Sequence, residues 1–128
     1  KRVFNFDPSM VLSNNITTDE GHIIALAGTR INPLDTITMS RTLVFFDGTK
    51  QDQVNAVEKL IKVYDRKITP VLVNGTWLEL TKKWKRQVYF DQAGYMTTRF
   101  GIKAVPAIVR QSGKVLEVTE MPAQELKP

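Results

Sequence analysis

Arg99-Phe100-Gly101-Ile102-Lys103-Ala104-Val105-Pro106-Ala107-Ile108-Val109, followed by Ser112-Gly113-Lys114-Val115, is the stretch that decides the fold. Gly101 ends a brief helix predicted over Tyr95 to Phe100, since glycine takes the left-handed conformation of a helix terminus without a Cβ penalty. Pro106 then leads into a strand predicted over Ala107 to Val109. Gln111-Ser112-Gly113 turn the chain back into a second strand, Lys114 to Val118, which makes a closing hairpin.

Working outward toward the N-terminus, Val88 to Phe90 reads as a short strand and Asp91 to Gly94 as a turn. Thr76-Trp77-Leu78-Glu79 has the spacing of a capping box, and Trp77, Leu80 and Trp84 fall on one helical face. Ile68 to Val73 is a strand in which Pro70 points to an edge, an early position or a bulge. Thr42 to Phe46 is a short buried strand. Thr49 and Asp52 again have capping-box spacing, and Val54, Val57, Leu60, Ile61 and Tyr64 make an apolar helical stripe. From residue 41 the order is β-α-β-α-β-(short α)-β-β, a mixed sheet with helices packed on it.

Residues 1–40 have a different character, with strand and turn signals only. Met10 to Thr17 and His22 to Ala27 are candidate strands joined through Thr18-Asp19-Glu20-Gly21, a hairpin. Phe4 and Phe6 look like anchors for the start of the chain. Met121 to Pro128 is polar, carries two prolines and is expected to fray. The expected division is thus an N-terminal β-hairpin region, 1–40, and an α/β domain, 41–128.

Composition narrows the function classes. The 128 residues hold no cysteine, which removes disulfides, thiol nucleophiles and cysteine-ligated metal centres. No apolar run approaches the roughly 20 residues of a membrane span. Lys1-Arg2 are basic, but Asn5, Asp7 and Pro8 leave no apolar run after them, so no export signal is read and the chain is taken as a mature or trimmed form. The net charge of +5 allows nucleic-acid binding. Spread charge on a solvated surface is the preferred reading, and Lys82, Lys83, Lys85 and Arg86 suit the C-terminus of a helix.

The stretch from Arg99 to Val115 resembles the thioredoxin superfamily, with its aromatic-Gly-Ile, spacer, apolar residue, proline, strand and Gly-containing hairpin. The resemblance implies a thioredoxin-like mixed sheet with flanking helices and a cis Val105–Pro106 bond. It places the redox motif within Asp47-Gly48-Thr49-Lys50-Gln51-Asp52-Gln53, which lacks Cys-x-x-Cys. Thiol–disulfide exchange needs a thiolate, so that reaction is excluded for these residues.

A narrower resemblance spans nearly the whole chain. Phe6-Asp7-Pro8-Ser9, Asp19-Glu20-Gly21, Gly28, Asn32-Pro33-Leu34, Val88-Tyr89-Phe90-Asp91-Gln92 with Gly94, Arg99-Phe100-Gly101-Ile102 and Val105-Pro106-Ala107 are similar in order and spacing to the TraW family. Those proteins are pilus-assembly components of F-type conjugative type IV secretion systems. The resemblance implies the C-terminal part of an exported periplasmic protein without enzymatic activity or cofactor. It implies TrbC as partner, and beyond it other periplasmic secretion-system proteins. A redox-inactive thioredoxin-like chaperone or adaptor unconnected to conjugation is the alternative.

Single residues add little chemistry. His22, the only histidine, has no second His or Cys to share a metal. Asp7, Asp47 and Asp91 sit where turns and caps use carboxylates. Trp77 and Trp84 read as core, and either becomes a protein-binding anchor if exposed. The peptide-binding surface of thioredoxin-like proteins maps to Lys103, Ala104 and Val105 beside Thr49, Lys50 and Gln51. Backbone groups before a cis proline can pair there with an extended partner strand.

Overall fold

Thr42–Asp47 lies in the middle of a six-stranded sheet because both of its faces find apolar cover. Val44 and Phe46 point into one core layer and Phe45 into the other, and all three are fully buried. The computed structural model describes residues 1–11, 16–17, 23–25, 30–32, 34 and 41–126. Their strands are β1 (Arg2–Phe6), β2 (Met10–Val11), β3 (Ile16–Thr17), β4 (Ile23–Ala25), β5 (Arg30–Ile31), β6 (Thr42–Asp47), β7 (Ile68–Asn74), β8 (Tyr89–Phe90), β9 (Ala107–Ser112) and β10 (Val115–Glu120). The helices are α1 (Gln51–Tyr64), α2 (Trp77–Trp84) and α3 (Tyr95–Phe100).

The main sheet runs β1-β10-β9-β6-β7-β8, with β6, β7 and β8 parallel and the other pairings antiparallel. On one face α1 contributes Val54, Val57 and Leu60 and α2 contributes Leu80, packed on Val44, Phe46, Ile68 and Leu72. On the other face Phe100 of α3, Ile102 and Leu34 pack with Phe45, Val71, Val109 and Val118. The mixed α/β sheet with flanking helices read from the sequence is therefore the observed architecture.

Pro70 sits in β7, one strand from the edge, paired with Val44. The register with β8 begins only at Val71, so the missing N–H of Pro70 falls ahead of that short ladder, where no acceptor waits.

Four local expectations change. Arg2–Phe6 is not part of a separate hairpin region; it adds to the main sheet by pairing Phe4 with Val118 and Phe6 with Leu116. Partial burial of Phe4 and Phe6 against the core favours this, and Phe6 meets Phe100 edge-on at 5.2 Å. The tail does not fray over its described length: Ala123 and Leu126 are buried, and Leu126 joins the core beside α1. Neither capping box forms. Thr49 lies ahead of the cap position Lys50, and Thr76 occupies the cap of α2 without a side-chain bond.

Met10 pairs with Ile31 and Ile16 with Ala25, both antiparallel, as in a hairpin. Its return is tied to the β9–β10 turn. Asn32 donates its side-chain amide to the Lys114 carbonyl at 2.8 Å, and Leu34 is buried in the core. Gly21, His22, Gly28 and Pro33 lie outside the described residues.

Candidate functional site

The turn from β6 into α1 is built around Asp47. Its carboxylate accepts the Thr49 N–H at 2.8 Å and the Thr49 hydroxyl at 2.6 Å. That draws Thr49 back toward the strand and away from α1, which is why the expected box fails. Gly48 makes the turn possible. A Cβ there would stand 2.6 Å from Leu72 Cδ1 and 3.0 Å from the Asn74 carbonyl, to which the Gly48 N–H donates at 2.8 Å. Gly75, with φ of +108°, completes the close approach at the end of β7.

The Val105–Pro106 bond is cis, and Pro106 is buried. Gln53 connects this loop to the α1 turn. Its side-chain oxygen accepts the Asp47 N–H at 2.8 Å, and its nitrogen donates to the Val105 carbonyl at 3.3 Å. Glu120, only 6% exposed, holds the other side of the loop. Its carboxylate accepts the N–H of Lys103 at 2.6 Å and of Ala104 at 3.2 Å. Arg2 donates to both Glu120 oxygens at 2.8 Å and also to the Gly101 carbonyl. The Arg2 guanidinium, helped by the two backbone donors and opposed by burial, lowers the Glu120 carboxyl from 4.5 to about 2.

Thr49, Lys50, Gln51, Lys103 and Ala104 are exposed and Val105 is half-buried. The hydrogen bond from Gln53 to Val105 links these two segments directly. The N–H groups of Lys103 and Ala104, expected to be offered to a partner strand, are engaged by Glu120 instead. This surface presents side chains to solvent, above all the Lys50 and Lys103 ammonium groups. Sequence reasoning missed Arg2 and Glu120, which stand 118 positions apart with no local signal.

The other acidic residues do the turn and cap work expected of them. Asp7 accepts the Ser9 N–H at 2.9 Å. Asp91, 3% exposed, accepts the N–H groups of Met96 and Thr97 at 2.7 and 3.0 Å, starting α3. Arg86 of the basic cluster is structural, donating to the carbonyls of Asp65 and Ile68 at 2.7 Å each. Among the described residues no group of three or more His, Cys, Asp or Glu is placed to hold a metal ion, and no helix is long and apolar enough to cross a membrane.

A mixed sheet, a cis proline facing the start of α1 and a first turn without cysteine define a thioredoxin-fold domain that carries no thiol. A solved structure, that of MTB dsbF in its mixed oxidized and reduced forms, matches 90% of this chain and 90% of its own at a TM-score of 0.50; its 19% identity makes this a likeness of fold alone. The chain is similar to protein TraW of Escherichia coli (strain K12), with 36% identity over 123 residues, 94% of this chain. It spans 58% of that relative's length. No protein-family profile matches it.

Proposed function

We propose that the chain is a non-catalytic periplasmic assembly or scaffold module of an F-type conjugative type IV secretion system, acting in pilus assembly by binding other proteins. The 36% identity to TraW across 94% of the chain carries this reading. Absence of a thiolate from Asp47–Gln53 supports it, since a thioredoxin fold without its nucleophile keeps only its surfaces to work with. TrbC is the proposed partner. Lys50 and Lys103, with Thr49, Gln51 and Ala104 around them and Val105 behind, form the proposed contact.

The test is a pull-down followed by calorimetry against purified TrbC from the same transfer system. Saturable one-to-one binding, weakened by joint charge reversal at Lys50 and Lys103, is the expected result. A folded sample that gives no binding heat contradicts the partner assignment and favours an adaptor outside conjugation. Binding unchanged by the double reversal would remove the contact while keeping the partner.

A further inference from the structure

The sheet ends at β8, an edge strand of two residues that leaves large aromatic surface in water. Tyr89 is 44% exposed, Phe90 43% and, across the cleft on α2, Trp77 47%. These three line one open groove with Val88 as its buried floor. Phe90 pairs with Leu72 in the parallel ladder, and the Asp91 N–H donates to the Leu72 carbonyl at 2.9 Å. In that pattern the N–H and C=O of Phe90 itself point away from β7, to the open side. Main-chain bonding groups and apolar surface thus stand together at one edge.

Charge says what can cover it. Past Tyr89 the groove runs into a second depression lined by the exposed cations Arg41, Arg66 and Lys85, with Arg86 and one carboxylate, Asp65, which lies 3.7 Å from Arg86. Among the described residues no carboxylate pairs with these three. A second copy of the chain joined through this edge would bring such cations toward each other, which like-charge repulsion disfavours. A carboxylate-bearing partner would be attracted at the same place.

We infer that the β8 edge binds an extended segment of another protein that presents an apolar or aromatic side chain to the Trp77–Phe90 groove and acidic residues to Arg41, Arg66 and Lys85. The main chain of the segment pairs with Phe90. This deepens the proposed binding role and rests on it, but it uses a surface separate from Lys50 and Lys103.

The test is to pan a display library of random twelve-residue peptides on the folded chain and measure the selected peptides by fluorescence anisotropy. Expected are sequences that combine an apolar or aromatic residue with two or more Asp or Glu. Their affinity should fall at least tenfold in Phe90→Ser and in the double variant Arg66→Glu, Lys85→Glu. It should be unchanged in Lys62→Glu, on the exposed face of α1, with far-ultraviolet circular dichroism confirming that each variant folds. No enrichment, enrichment without carboxylates, or affinity that survives both variants would overturn the inference. Binding to TrbC is a separate arm that bears on the proposed function alone: selected peptides with the expected behaviour uphold the β8 surface whether or not TrbC binds.

Discussion

The two ends of the sheet are held in opposite ways. At the β1 end, Arg2 and Glu120 bind the loop before Pro106 and occupy the N–H groups of Lys103 and Ala104, while Gln53 takes the Val105 carbonyl. At the β8 end, two residues complete the sheet, and Tyr89 and Phe90 remain over 40% exposed. In a thioredoxin fold without cysteine, the loop expected to receive an extended chain is closed by internal bonds. The edge with no such expectation is the open one. The fold does not dictate which surface keeps free main-chain groups; side chains far apart in sequence do.

The largest effect is expected at the closed end. Glu120→Ala removes a buried carboxylate bound to a guanidinium and two backbone donors, and should destabilise the fold by about 3 kcal/mol in urea or guanidinium denaturation, chiefly through the two N–H groups left without an acceptor. A loss under about 1 kcal/mol would mean that the loop holds itself.

Acid should dissect the same bond. The Glu120 carboxyl is lowered from 4.5 to about 2 in the folded protein. The unfolded chain therefore takes up the proton first as pH falls, so this stabilisation is present in full above about pH 4.5 and is lost between there and about pH 2. The shift amounts to at most about 3 kcal/mol, reduced because Arg2 is partly in solvent. Denaturation followed against pH should show this slope, and Glu120→Gln should flatten it.

Next comes Asp91, which ends β8 and starts α3. Asp91→Ala leaves two backbone N–H groups without their acceptor and should cost about 2 kcal/mol in thermal or chemical denaturation. If the cost is small, the β8 end is loosely held as well as exposed. Phe90→Ser is the smallest: its ring is already 43% exposed, so stability should change by only about 0.5 kcal/mol. A large loss would make Phe90 a core residue and weaken the contrast.

Much of this fold is legible locally. The run Thr42 to Phe46, the apolar stripe from Val54 to Leu60 and the Gly101 helix stop each carry their own periodicity or conformational requirement, and each is where it was expected. The cis Val105–Pro106 bond followed from resemblance rather than from spacing. The hidden features depend on competition or on distance. Thr49 and Asp52 have capping-box spacing, yet Asp47 captures Thr49 first, and spacing cannot rank two acceptors. Leu126 sits in a polar tail and is buried because α1 leaves room for it. Arg2 and Glu120 lie at opposite ends of the chain, so only strand pairing brings them together.

Amide hydrogen exchange read residue by residue by NMR tests the contrast between the two ends most directly. Lys103 and Ala104 lie in an exposed loop outside any strand or helix, yet their N–H groups should exchange slowly because Glu120 holds them. The Phe90 N–H, inside a strand, should exchange rapidly. Fast exchange at Lys103 and Ala104 together with protection at Phe90 would contradict the account, since the closed surface would then be open and the open edge already covered.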